Sequence, residues 1–124
     1  MQFKINTSEK FHAISILEPH ISANMTAAMD ERLLPFLEQD VKNVVLILKD
    51  TEIIDDAAAE HLVNMQQSFY DRNASFVICQ LQKPVEKKLD ESGLLELMNV
   101  TPTESEAWDI VQMEEIEREL LGDE

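Results

Sequence analysis

The strongest constraint in the chain is a change of apolar rhythm between Asn43 and Tyr70. Val44-Val45-Leu46-Ile47-Leu48 is an unbroken apolar run rich in β-branched residues. A strand with one wet face alternates, whereas an unbroken run suits a strand buried on both faces. Beyond Lys49-Asp50-Thr51-Glu52 and Ile53-Ile54, apolar residues recur at Ala58, Leu62, Met65 and Phe69. That spacing of four, three and four lines one face of a helix. Asp55 stands at the junction, where an Asp side chain can cap the free N–H groups of the first turn. Asp56 follows in the first turn and opposes the helix dipole favourably. Ala57, Ala58 and Ala59 add almost no side chain. The pattern predicts an acidic, small-residue helix entrance at the end of a buried strand, where open α/β sheets bind partners and ligands.

The rest of the chain keeps alternating strand with helix. Phe3-Lys4-Ile5 and Phe11 to Leu17 read as two short strands, an antiparallel pair at a sheet edge, the second ended by Pro19. Ser22 or Asn24 caps a first helix running to about Gln39. Met29, Leu33, Phe36 and Leu37 share its buried face, and Pro35 inside it predicts a kink near Glu31 to Pro35, since an interior proline costs about 3 kcal/mol in an unbroken helix. Ser75 to Cys79 is the next central strand. Pro84 opens a third helix, Val85 and Leu89 point inward, and Gly93 closes it. Leu97-Met98-Asn99-Val100 is a short last strand. Thr103 and Glu106 form a capping box for a fourth helix to about Leu121, with Ala107, Trp108, Ile110 and Val111 facing the body. Met113, Ile116, Leu120 and Leu121 extend an apolar seam that folds back or joins a second subunit as a homodimer. Gly122-Asp123-Glu124 reads as a frayed tail. The order β-β-α-β-α-β-α-β-α defines an α/β chain with parallel crossovers, a single domain over 1–124.

Composition removes several classes of function. The net charge is −15, and a chain so acidic repels nucleic acid and anionic membrane. Two glycines leave no Gly-rich phosphate loop. The single cysteine, Cys79, sits in a strand and reads as a small buried hydrophobe. His12, His20 and His61 lack metal-ligand spacing, so neither a metal nor a cofactor is expected. Asp55 and Asp56, adjacent at a helix start, diverge and do not share a proton as a catalytic pair would. With no nucleophile motif either, the chain does not read as an enzyme. No apolar run is long enough to span a bilayer, so no membrane insertion is expected and the chain reads as cytoplasmic.

Ile53-Ile54-Asp55-Asp56-Ala57-Ala58 resembles the apolar-apolar-Asp-Ser-Ser-Gly motif of the STAS domain of anti-sigma-factor antagonists and sulfate transporters. The Asp is kept; both serines and the glycine are replaced. Ser92-Gly93-Leu94 stands where STAS domains carry Ser-Gly-Leu, and the order of elements agrees along nearly the whole chain. A glycine near Pro19 and an acidic residue near Ser22, frequent in the family, are absent. The resemblance implies a STAS-like fold, a small mixed sheet of about five strands with about four helices mainly on one side. In the antagonists a partner kinase, itself the anti-sigma factor, phosphorylates the second serine. Its counterpart here is Ala57, so no phosphorylation is expected there, and Thr51 is the nearest substitute acceptor. The resemblance further implies non-catalytic binding to a regulatory protein, of the anti-sigma-factor kinase type, through Asp50, Thr51, Asp55, Asp56, Ala57, Ala58, Glu60, His61 and Asn64. Two other roles are compatible with it: a ligand- or nucleotide-sensing domain, and a STAS subunit of a transport or other multiprotein complex. Asp55 and Asp56 oppose anion binding at the N–H groups of the helix entrance.

Overall fold

The computed structural model describes residues 1–121; the tail Gly122 to Glu124 lies outside the described residues. In chain order come β1 (Phe3–Thr7), β2 (His12–Ile16), β3 (His20–Ile21), a 3-10 turn (Ala23–Met25), α1 (Thr26–Leu33), a 3-10 stretch (Leu34–Glu38), β4 (Val44–Ile47) and β5 (Ile53–Ile54). Then follow α2 (Asp56–Asp71), β6 (Phe76–Cys79), α3 (Lys83–Glu91), a 3-10 turn (Leu95–Leu97), β7 (Val100–Thr101) and α4 (Glu104–Leu121). The main sheet has the order β1-β2-β4-β6-β7. Only β1, at the edge, is antiparallel to its neighbour; the other pairs are parallel. This is the mixed α/β sheet that the residue pattern predicts.

The unbroken apolar runs have a direct cause. Ile14, Ile16, Val44, Leu46, Phe76 and Ile78 face one side and join Met29, Leu33, Leu62, Met65, Phe69, Val85 and Leu89 of α1, α2 and α3. Ala13, Val45, Ile47, Val77 and Cys79 face the other side and meet Ala107 and Val111 of α4. Three helices therefore cover one face and α4 alone covers the face with the smaller side chains. Every residue of β2, β4 and β6 is buried. Full burial of one large aliphatic is worth about 1.5–3 kcal/mol, so both layers contribute to stability. β2 is buried along its whole length, its polar members His12 and Ser15 included. The His12 ring stacks on Phe36 with centroids 4.1 Å apart. Its Nε2 lies 2.8 Å from the Val41 carbonyl, which only accepts, so Nε2 carries the proton and Nδ1 accepts from the Thr7 hydroxyl at 2.9 Å.

Several boundaries differ from the sequence expectation. The first helix does not run to Gln39: α1 ends at Leu33 and tightens into the 3-10 stretch holding Pro35, so the proline changes the helix type where a kink was expected. The last strand is Val100–Thr101 rather than Leu97 to Val100, and Leu97 belongs to a 3-10 turn. Met98 is buried while Leu97 faces solvent. The chain after Pro19 does not simply leave the sheet: β3 pairs with β5 in a small parallel two-stranded sheet. Both strands are two residues long, too short to carry a periodic signal.

Helix ends follow local chemistry. Gly93, with φ +79°, closes α3 while the Gly93 and Leu94 N–H groups bond back to Asp90 and Leu89. Asn73, with φ +60°, does the same for α2, with bonds to Tyr70 and from Ala74 to Phe69. At the start of α4 the Thr103 hydroxyl accepts the Glu106 N–H at 3.1 Å. The Glu106 carboxylate accepts from that same hydroxyl at 3.0 Å, so the reciprocal bond of the expected capping box goes to the Thr103 side chain rather than its backbone.

Candidate functional site

The entrance of α2 lies at the C-terminal edge of the sheet, just after the buried end of β4. Leu48 N–H reaches the Cys79 carbonyl at 3.2 Å, which ends β4 against β6, and Thr51 N–H turns back onto the Leu48 carbonyl at 3.1 Å. Glu52 and Ile53 N–H groups both donate to the Pro19 carbonyl, at 2.7 and 3.0 Å, and Asp55 N–H donates to Ile21 at 2.9 Å. The small sheet of β3 and β5 therefore fixes where α2 begins.

Asp55 occupies the cap position with extended backbone, yet its side chain bonds nothing in the first turn of α2. Instead Oδ1 accepts from His20 Nε2 at 2.7 Å and Oδ2 accepts the Ala23 N–H at 3.0 Å. The carboxylate expected to cap its own helix thus serves the 3-10 turn ahead of α1. These two hydrogen bonds, the His20 one first, hold the Asp55 carboxyl below its ordinary value. Asp56 faces solvent, with 80% of its side chain exposed, and lies 3.5 Å from Lys88 Nζ. Lys88 also donates to the Ile54 carbonyl at 2.7 Å, which ties α3 to the same entrance.

The sequence-predicted residues divide clearly. Asp50, Asp56, Ala57, Glu60 and Asn64 are exposed, and Asp55 and His61 are half-buried. Ala57, Glu60 and Asn64, three and four residues apart, present one outward face of α2. His61 Nε2 lies 2.7 Å from Asp30 Oδ1 of α1, so its outer ring nitrogen is engaged. Thr51 and Ala58 do not belong to the surface. Both are fully buried, and the Thr51 hydroxyl donates to the Glu18 carbonyl at 2.9 Å. A buried, bonded hydroxyl cannot act as a substitute phosphate acceptor without local unfolding. Ala58 points into the core because it belongs to the Ala58-Leu62-Met65-Phe69 face itself.

Sequence reasoning missed His20, Lys88 and Ile53. Ile53 is 55% exposed beside the acidic entrance, whereas Ile54 is fully buried. Their period of two was the available signal, and two residues are too few to read it. His20 and Lys88 reach the entrance from distant segments. The three histidines engage separate partners, and among the described residues no group of three His, Cys, Asp or Glu side chains is gathered to hold a metal.

The STAS domain family model matches residues 5–107. The chain belongs to the STAS family. Its fold is similar to an anti-sigma factor antagonist from Mycobacterium paratuberculosis, with 13% identity, TM-score 0.76, and 90% of this chain and 93% of that one covered. It is similar as well to a variant of RsbS from Moorella thermoacetica, with 18% identity, TM-score 0.73, and 90% and 96% covered. A third likeness is to the murine anion transporter Slc26a9, with 11% identity and TM-score 0.70; it covers 83% of this chain but 18% of the transporter. A comparison with curated proteins gives no match. Among the described residues no helix is long and apolar enough to cross a membrane.

Proposed function

We propose that the chain acts over its whole length as one non-catalytic, cytoplasmic protein–protein interaction domain, an anti-sigma-factor-antagonist-like regulator whose docking is not gated by phosphate at position 57. The observation that carries this reading is the exposed Ala57 in the first turn of α2, a residue without a hydroxyl where the resemblance of Ile53 to Ala58 to the family motif implies the phosphorylated serine. The docking surface is Asp50, Asp55, Asp56, Ala57, Glu60, His61 and Asn64, joined by Ile53 as an apolar anchor. A partner for it carries cations opposite Asp50, Asp56 and Glu60 and an apolar pocket for Ile53. Without a phosphate to repel it, such a partner stays sequestered at any kinase activity.

The test uses a partner of the anti-sigma-factor kinase type. Binding is measured with and without ATP, and the product is mapped by mass spectrometry. Unchanged binding and no phosphate on the first turn of α2 support the reading; stoichiometric phosphate there sinks it. Ala57→Arg places a bulky cation on the docking face and should abolish binding without unfolding the domain, because the position is exposed. A second reading, a subunit of a transport assembly, draws on the fold likeness to part of an anion transporter. Co-purification with a membrane transporter, undisturbed by Ala57→Arg, would favour it.

A further inference from the structure

Helix α4 is apolar on two sides. Ala107 and Val111 are buried against the sheet, and Glu114 and Arg118 continue that side toward Tyr70 and Ser75. On the side turned away, Met113, Ile116 and Leu120 are 59%, 56% and 77% exposed. Their spacing of three and four keeps them in one stripe. Neither fold stability nor solubility calls for three large aliphatics aligned on the outer face of a helix.

Charge decides what can cover them. Asp109, Glu117 and Glu119 border the stripe, and α4 carries seven carboxylates against the single cation Arg118. Arg118 is engaged already, 2.6 Å from Ser75 Oγ and 3.9 Å from Glu114. A second copy would set an equally acidic helix against this one, on chains of net charge −15, at the ~8–10 Å spacing of packed helices, which is comparable to the Debye length of ~8 Å at physiological salt and leaves the repulsion only partly screened. Anionic lipid is repelled for the same reason.

We propose that the outer stripe of α4 receives an amphipathic helix of another protein, one whose apolar face is bordered by Lys and Arg. The apolar residues supply the contact, and the acidic borders supply orientation and partner choice. The stripe lies on the opposite side of the sheet from α2, so it can be occupied while the α2 entrance is engaged.

Three synthetic helical peptides test this on the full chain: a Leu/Lys amphipathic peptide, its Leu/Glu counterpart, and a Lys-matched peptide with the leucines scrambled. The Leu/Lys peptide should bind, should weaken as salt rises, and should lose about tenfold or more in affinity for Met113→Gln/Ile116→Gln/Leu120→Gln, as removal of apolar anchors does. That variant should melt like the wild type, since all three positions are exposed. The proposal is overturned by absent binding, by equal binding of the scrambled or Leu/Glu peptide, or by equal binding to the variant. It is also overturned if the peptide-free chain sediments as a dimer that the variant abolishes, or if phosphatidylcholine vesicles take up the wild type and not the variant.

Discussion

The Asp55 carboxylate stands 2.7 Å from His20 Nε2, across the small sheet of β3 and β5. Its second oxygen holds the Ala23 N–H, so one side chain links the start of α2 to the segment leading into α1. The entrance is pinned from outside the helix rather than capped from within.

That clasp should be visible in acid. The hydrogen bond from His20, followed by that from Ala23, depresses the Asp55 carboxyl from 3.8. A depressed folded pKa gives stability that is present above the unfolded value and lost as pH falls through the folded one. Asp55→Asn should therefore be less stable than the wild type at neutral pH, with the gap closing below about pH 4. Urea titrations at stepped pH measure the gap.

The aliphatic face of α2 sets global stability. Leu62 is fully buried among residues of both α2 and the sheet. Leu62→Ala should cost about 2–5 kcal/mol, whereas Asn64→Ala, on the exposed face, should stay within about 0.5 kcal/mol. Chemical denaturation separates the two.

Tyr70, the chain's single tyrosine, reports on the contact between α4 and the body. Its hydroxyl donates to Glu114 at 2.7 Å, and Ser75 Oγ donates to the same carboxylate at 2.6 Å. Burial first, then the Glu114 carboxylate, raises the phenol above its ordinary value of 10. A raised folded pKa means that its stabilisation is complete below the unfolded value and is lost as pH rises above about 10. Glu114→Gln should bring the phenolate absorbance transition toward lower pH and speed amide exchange in α4.

The Cys79 thiol should be inert in the folded state. It is fully buried under α4, and burial, with Glu104 adding to it, pushes it up to about 12. A thiol reagent should label the chain only at the rate of unfolding, and denaturant should restore ordinary thiol kinetics.

Gly93 offers a strain test free of crowding. With φ +79°, nothing lies within 4 Å of where a Cβ would stand. Gly93→Ala should then cost about 1–2 kcal/mol through backbone conformation alone, readable as a lowered urea midpoint with an unchanged slope.

The long periodic segments were legible from residue types. Ala58, Leu62, Met65 and Phe69 line the buried face of α2 as their spacing requires, and Val44 to Leu48 is buried on both sides. What escaped is what periodicity cannot carry. β3 and β5 exist only through each other, and the partners of Asp55 lie some thirty residues upstream. Thr51 looks like a surface residue by type and position in a polar stretch, yet tertiary packing buries it, whereas the burial of Ala58 follows from its place on the apolar face of α2. Exposure at a helix mouth depends on which neighbouring loop crosses it, and single residues hold no record of that.

The sheet's two margins are unequal. β1 offers five residues of outer backbone and β7 two. Were chains to stack into fibrils, growth would begin along the β1 margin, where Lys4 supplies the only charge in the strand and obstructs edge-to-edge pairing.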